Sequence, residues 1–156
     1  MDPLREFVNR FDANFKIDDR FLQRKENRFF LLNTELEKFV HQNFYYAGAY
    51  LGKNKNGRFF PSFQLLALIA EKNANKTVVD RRAAWLFICG RDIFGQGIIK
   101  TIGSTNKGSY TLILNEHEEC LGFGRIQSDL DGERKGVVIK NILDLGDFLR
   151  RETRRQ

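Results

Sequence analysis

The sequence predicts an α+β protein, in which an N-terminal antiparallel sheet with helices is followed by a half dominated by strands. Helical and strand-like apolar patterns alternate up to residue 70. The segment 71–76, EKNANK, has Ala74 as its only apolar residue and separates this part from a β-rich part. We therefore predict two domains, residues 1–75 and residues 76–156.

Composition predicts a folded, basic protein. Of the 156 residues, 42% are hydrophobic, and the 15 Phe residues can build a sizeable core. The net charge of +6 and the pI near 9.5 favour an acidic partner, either nucleic acid or an anionic membrane surface. Because both halves share the basic excess, a basic face would have to arise from the arrangement of the residues.

The cysteine content and the hydropathy of the chain indicate its cellular compartment. Cys89, placed in an apolar helix, and Cys120 are too few for a disulfide framework, which favours a reducing, intracellular compartment. The start MDPLREFVNR is too charged for a secretory signal, and no apolar run approaches the length of a membrane span. We expect a soluble, monomeric protein with no membrane partner.

The first half begins with a helix and two strands. Asp2 followed by Pro3 is typical of a helix start, and apolar spacing extends this helix over residues 3–11. Strands are expected at residues 15–17 and 28–32, joined by a charged loop.

A second helix, a strand and a third helix follow. Thr34 and Glu37 have the spacing of a capping box, which predicts a helix start. An aromatic strand over residues 44–51 is expected to end in a turn at residues 52–57. The Pro-Ser pair at 61–62 then opens the third helix.

The segment 80–98, DRRAAWLFICGRDIFGQGI, is the centre of the second half. Asp80 is suited to cap a helix, and Gly90 lies where a helix ends in a left-handed residue. Gly95 and Gly97 are predicted to turn the backbone tightly, so that a ligand can approach the main chain closely. The apolar side of the helix is assigned to Ala84, Trp85, Phe87 and Ile88.

Strands dominate the remainder of the chain. Residues 110–114 and 120–126 are predicted to form a hairpin around the turn NEHEE, and residues 137–142 form another strand. Asp144 is expected to cap a last helical turn. Its basic end, which suits the negative end of a helix dipole, carries Arg150, Arg151, Arg154 and Arg155.

The second half resembles a known RNA-binding fold. The order of its elements, with GRDIFGQGI, LGFGRI and KGVVIKNILDLGDFLRR, is similar to a PUA domain, the small β-barrel named after pseudouridine synthases and archaeosine transglycosylases. The first half resembles the domain that precedes PUA in the ribosome-biogenesis family called nuclear import protein seven (Nip-seven). The shared features are the FLLNTELEKF–YYAGAYLGK spacing and the ending GDFLRRE. The short start is more like the archaeal members.

This resemblance implies a C-terminal PUA pseudo-barrel in an RNA-binding factor with no catalytic activity and no cofactor. It implies a role in large ribosomal subunit biogenesis and pre-rRNA processing, with other ribosome-assembly proteins docked on the N-terminal domain. The location would be cytoplasmic if the protein is archaeal, and nucleolar or nuclear if it is eukaryotic. We expect pre-rRNA, single-stranded or structured, to be bound with weak base preference, because cations on a barrel face contact phosphates more than base edges.

The resemblance also implies an RNA surface near the last strand. Carried onto this sequence, its positions are Arg134 and Lys135 in GERKG and Lys140 in VIKN. Some members of the family have a further lysine where this chain has Leu143. A loop and an exposed strand can present several cations to successive phosphates. Flanking contacts are predicted at Arg125, Arg150, Arg151, Arg91 and Lys100.

Each assignment has a simpler alternative. A single basic residue can be a solvated surface charge. The glycine loop, which runs from Gly90 to Gly97, can be a plain connection between helix and strand. Trp85, Phe87 and Phe123 lie in apolar patterns and are assigned to the core rather than to base stacking. Three tyrosines of the first half are assigned to its core or to a protein contact: Tyr45, Tyr46 and Tyr50.

No catalytic or metal-binding motif is recognised. His117 and Cys120 have H-x-x-C spacing, but Cys89 and His41 lie at no recognised metal-site interval. The glycine-rich stretches lack the setting of a dinucleotide fingerprint, and the carboxylates of the hairpin loops are expected to be solvated. Two rival functions remain open, a targeting subunit or relative of an RNA-modifying enzyme and a basic protein–protein adaptor.

Overall fold

The computed structural model describes residues 2–13, 15–39, 47–147 and 150–151. They form a four-stranded sheet A in the first half and a six-stranded sheet B, curled as a half-barrel, in the second half. This arrangement confirms the predicted α+β class.

The first helix, α1 (Pro3–Asn9), begins where the sequence predicts and ends two residues early. The side chain of Asp2 caps it by accepting a hydrogen bond from the Leu4 N–H at 3.1 Å. Phe11 lies beyond the helix and is nevertheless fully buried. The apolar spacing therefore identified the buried residues correctly but overestimated the length of the helix.

Sheet A is an antiparallel meander of four consecutive strands. Its order is β1 (Leu22–Lys25), β2 (Arg28–Leu31), β3 (Ala49–Lys55) and β4 (Arg58–Pro61). The predicted strand at residues 15–17 is wrong, since these residues lie outside the strands, and β1 occupies the predicted charged loop. As an edge strand, β1 tolerates polar and charged side chains. It therefore lacks the alternating apolar pattern by which a strand is recognised in a sequence.

Two further turn and cap predictions of the first half are wrong. The predicted turn at 52–57 is mostly strand, because β3 continues to Lys55 and the reversal occurs at Asn56 and Gly57. Their φ angles of 52° and 75° are those of a tight Asn-Gly hairpin turn. The helix α2 (Thr34–Glu37) is capped by Asn33 rather than by Thr34, since the Asn33 side chain accepts from the Leu36 N–H at 2.9 Å.

The third helix is capped as predicted, and part of the first half lies outside the described residues. Helix α3 (Phe63–Ala70) begins with the Ser62 hydroxyl accepting from the Leu65 N–H at 3.1 Å. The predictions for His41, Tyr45 and Tyr46 fall on residues that the structure does not describe.

Sheet B has the strand order β6-β10-β9-β8-β5-β7. Strand β5 pairs in parallel with β8, whereas the other pairs are antiparallel. The predicted hairpin is confirmed as β8 and β9. The elements of this half are β5 (Lys76–Val79), α4 (Arg81–Ile88), β6 (Ile93–Phe94), a 3₁₀ turn (Gly95–Gly97), β7 (Ile98–Ile102), β8 (Tyr110–Leu114), β9 (Cys120–Ile126) and β10 (Val137–Asp144).

Helix α4 has the predicted caps but a different exposed face. Asp80 accepts from the Ala83 N–H at 2.8 Å, and Gly90 has a φ of +88°. Trp85 is 67% exposed, so its assignment to the core is wrong, whereas Phe87 and Phe123 are buried as predicted. Cys89 is also exposed.

The end of the chain differs from the prediction at Asp144. This residue ends strand β10 and is buried, instead of capping a helix. The predictions for Arg154 and Arg155 fall on residues that the structure does not describe.

Two hydrophobic cores hold the molecule together. The second core fills the half-barrel, with Phe87 of α4 among its members. The first core contains residues of α1, α3 and sheet A, together with Leu112 of β8 and Phe123 of β9. The two halves of the chain therefore share one core, which fixes α1 against the outer face of sheet B.

Candidate nucleic-acid interface

A row of polar side chains crosses the outer face of sheet B. Lys140 on β10 is the Cα partner of Arg125 on β9, which in turn is the partner of Tyr110 on β8. Directly paired residues place their side chains on the same face of a sheet. The neighbours Ile139 and Ile126 are buried inside the half-barrel, so Lys140, Arg125 and Tyr110 lie on its outside.

The two cations of this row have no carboxylate partner among the residues that the structure describes. Both are exposed. Arg125 is oriented by its Nε, which donates to the Gly108 carbonyl at 3.2 Å, and its guanidinium carbon lies 5.8 Å from the centroid of the Tyr110 ring. An external anion can therefore bind to this pair without first breaking an ion pair.

Exposed apolar side chains also lie on strands β6 and β10. Phe94 is the Cα partner of Val137, three residues before Lys140 along β10, and both are more than one-third exposed. Phe94 also lines a cleft beside α4, together with Ala83 and Leu86. We call Lys140, Arg125 and Tyr110 the outer row. Single-stranded RNA is bound by surfaces of this composition, because cations contact its phosphates while rings stack on its splayed bases.

Arg134 and Lys135 lie just before β10, beside the glycine loop. The Arg134 Nε donates to the Leu130 carbonyl at 2.7 Å, and the side chain is half-buried. Lys135 is highly exposed and pairs with the equally exposed Glu133 at 2.7 Å. An ion pair of this kind contributes little, so Lys135 remains available to another anion.

The two predicted arginines near the C-terminus have partners within the chain. The Arg150 guanidinium donates to both carboxylate oxygens of the buried Asp144, at 2.8 and 2.7 Å, and to the Ile88 carbonyl at 2.7 Å. Arg151 pairs with Asp147 at 2.7 Å. The contacts of Arg150 hold the end of α4, which is a structural role.

Lys100 and Arg91, the last two predicted positions, are not members of the outer row. Lys100 is on β7, at the opposite end of the strand order from β6 and β10, and pairs with Glu118 at 3.0 Å. This hydrogen bond lowers the pKa of the Glu118 carboxyl. Arg91 is exposed at the start of the glycine loop, and its carbonyl accepts from the Asn141 side chain at 3.3 Å. Leu143 packs against the first core.

The structure thus brings Lys140 and Arg125 side by side, and it adds Phe94 and Tyr110, which the sequence analysis missed. The exposure of Phe94 could not be read from an isolated two-residue strand. Trp85 carried a signal, since Ala84, Phe87 and Ile88 have helical i, i+3, i+4 spacing and Trp85 falls outside that stripe.

Groups that could support metal or thiol chemistry are dispersed. In the described part of the chain, no three His, Cys, Asp or Glu residues lie close enough to hold a metal ion. Burial raises the pKa of the Cys120 thiol to about 11, so the thiol stays protonated near neutral pH. Among the same residues, no helix has the length and apolar character needed to cross a membrane.

Comparison with known families assigns the second half. The family model described as the UPF0113 PUA domain matches residues 75–153, which is half of the chain. The chain belongs to the UPF0113 PUA-domain family. A UPF0113 protein from Archaeoglobus fulgidus is 28% identical over 114 residues, covering 70% of this chain and 64% of that relative. This UPF0113 chain therefore matches somewhat less than two thirds of the relative's length.

Solved structures show the same fold. A conserved PUA domain protein from Thermoplasma acidophilum has a TM-score of 0.60 at 20% identity, covering 94% of this UPF0113 chain and 89% of its own. A PUA domain from Aeropyrum pernix K1, solved as a tartrate complex, has a TM-score of 0.51 at 22% identity and covers 60% and 56%. The predicted PUA domain is confirmed.

Proposed function

We propose that this UPF0113 protein is a non-catalytic RNA-binding factor. The observation that carries the proposal is the pair formed by Lys140 and Arg125, which lie side by side on an exposed sheet with no carboxylate partner among the described residues. Membership of a PUA-domain family supports RNA as the anion. The exposed ring of Phe94, which lies on the strand that pairs with β10, supports single-stranded RNA over a small anion.

We further propose the cellular role that the Nip-seven resemblance implies. In this role the protein contributes to large ribosomal subunit biogenesis and pre-rRNA processing, and its first half docks other assembly proteins. It acts in the cytoplasm of an archaeon, or in the nucleolus or nucleus of a eukaryote. Base preference is weak, because Lys140 and Arg125 are suited to phosphates.

The test is RNA affinity measured across a salt series. The probe is a labelled single-stranded RNA of mixed sequence, titrated between about 50 and 200 mM salt. The variant Arg125→Ala/Lys140→Ala is compared with Lys38→Ala/Lys55→Ala. The second variant also removes two positive charges, but from exposed positions of the first half. We expect the first variant to flatten the slope of log affinity against log salt by about 1.4, since each phosphate contact on a single strand contributes about 0.7.

The control variant is expected to bind nearly as well as wild type. Failure of wild type to bind RNA at low salt would overturn the proposal. It would leave a protein–protein adaptor as the better function, which the exposed Trp85 and Leu86 on α4 favour. Binding that depends on apolar side chains such as these is only weakly sensitive to salt.

A further inference from the structure

One tyrosine lies between two arginines that come from different halves of the chain. The guanidinium carbon of Arg125 is 5.8 Å from the centroid of the Tyr110 ring, and that of Arg10, at the end of α1, is 5.5 Å from the same centroid. Both distances lie within the roughly 6 Å over which a cation and a ring attract each other. Tyr110 therefore holds Arg10 close to the outer row.

The shared core fixes this arrangement. Phe11, which follows Arg10, is fully buried, and its ring contacts those of Tyr110 and Phe123 at centroid distances of 6.2 and 5.5 Å. The Phe11 carbonyl also accepts a hydrogen bond from the Asn75 N–H at 2.8 Å. Because Phe11 is anchored in this way, the backbone at Arg10 is fixed and its guanidinium group stays within reach of the Tyr110 ring.

Arg10 and Arg125 both remain able to bind an external anion. Arg10 has one carboxylate near it, that of the exposed Glu6 at 3.8 Å, and a surface ion pair of that length is weak. Arg125 has none among the described residues. Both arginine side chains are exposed, so each guanidinium group can bind a phosphate of its own.

We propose that the RNA-binding surface continues from Lys140 and Arg125 across Tyr110 to Arg10, so that the first half also contacts the RNA. The occupant is one single-stranded segment, which places different phosphates on Arg125 and Arg10. Tyr110 acts as a positioning residue that keeps the two guanidinium groups on its ring. This inference rests on the proposed RNA binding and adds a contact that lies outside the PUA domain.

The experiment compares Arg10→Ala with Arg24→Ala in the same salt series and with the same labelled single-stranded RNA. Arg24 is a matched control, since its guanidinium carbon also lies on a ring, 5.4 Å from the centroid of Phe29, but on the edge strand β1 of sheet A. Arg10→Ala is expected to flatten the salt slope by about 0.7, the contribution of one phosphate contact. Arg24→Ala is expected to leave both slope and affinity at wild-type values.

A double-mutant cycle tests whether Arg10 and Arg125 contact different phosphates. If they do, the two separate losses of affinity multiply in the double variant. Folding of every variant is checked by thermal unfolding, and Arg10→Lys keeps the charge if Arg10→Ala does not fold.

The outcomes separate this inference from the proposed function. RNA binding that Arg125→Ala and Lys140→Ala weaken, but that Arg10→Ala leaves equal to Arg24→Ala, would overturn the extension and leave the proposed function intact. Absence of RNA binding by wild type would overturn both. A combined loss of affinity smaller than the product of the two separate losses would contradict contacts of Arg10 and Arg125 to different phosphates.

Discussion

At the scale of single residues, Arg150 completes a network that joins the end of the described chain to α4. Its partner Asp144 is buried and also accepts from the Asn141 side chain at 3.1 Å. The same Asn141 amide donates to the Phe87 carbonyl at 2.9 Å, and its backbone N–H donates to Asp92 at 2.8 Å. Helix α4, the glycine loop and β10 are therefore held by the same few hydrogen bonds. Arg150 balances the buried charge of the Asp144 carboxylate.

Replacing Arg150 by Ala is expected to destabilise the protein by about 2 to 3 kcal/mol, because it leaves the buried Asp144 carboxylate without its cation. The measurement is the free energy of unfolding in urea. Arg151→Ala is the matched control, since its ion pair with Asp147 is largely exposed and is worth about 0 to 1 kcal/mol. Equal stabilities of the two variants would contradict a structural role for Arg150, whose predicted contact with RNA stays a prediction.

At the scale of elements, the glycine loop contains a tight turn together with a close approach that the sequence did not reveal. Gly95 and Gly97 lie in a 3₁₀ turn, as the prediction of a tight turn required. Neither has a left-handed φ, and both are required because their neighbours are close. A Cβ on Gly95 would overlap the backbone of Arg134, and one on Gly97 would lie 2.6 Å from the Cβ of Ala83.

Gly95→Ala is therefore expected to lower the free energy of unfolding by about 1 to 3 kcal/mol, the usual effect of overpacking. Gly132→Ala serves as the control, because a Cβ at that position meets nothing within 4 Å. Its effect is expected to stay within about 0.5 kcal/mol. Thermal unfolding of both variants gives the comparison, and a neutral Gly95→Ala would show that the loop is free to move away from Arg134.

Local signals of the sequence account for much of the fold and less of the site. Helix caps and hairpins were predictable, because both depend on residues that are near neighbours in the sequence. The examples are the caps at Asp80 and Ser62 and the β8–β9 hairpin. The Asn56-Gly57 turn was readable in the same way and was missed inside a longer polar run. The position of Arg10 beside Tyr110 was not predictable, since it depends on how α1 packs against β8, which no periodicity encodes.

At the scale of the whole molecule, the first core determines how the halves behave. Phe7 and Phe11 from the first half contact Phe123 of β9, each at a ring-centroid distance of 5.5 Å. Apolar residues of the second half, among them Leu112, are buried in the same cluster. Residues 76–156 alone would expose that face, so the sequence boundary near residue 75 does not coincide with a boundary in packing.

Phe11→Ala is expected to destabilise the protein by about 3 to 5 kcal/mol, the effect of removing a fully buried ring. Because the core is shared, both sheets are expected to lose structure in one transition, measured by hydrogen exchange of sheet A and sheet B amides in increasing urea. Phe39→Ala, at a site 53% exposed, is the control and is expected to be nearly neutral. Separate transitions for the two sheets would contradict a shared core.

The exposure of Trp85 determines which spectroscopic probe is useful for this protein. It is the only tryptophan in the chain, and it lies outside both cores. Its native fluorescence emission should already resemble that of an indole in water, and iodide should quench it readily. Unfolding will therefore change the emission little and is better followed by circular dichroism. A molecule that covers the outer side of α4 would instead shift the emission to shorter wavelength and shield the indole from iodide.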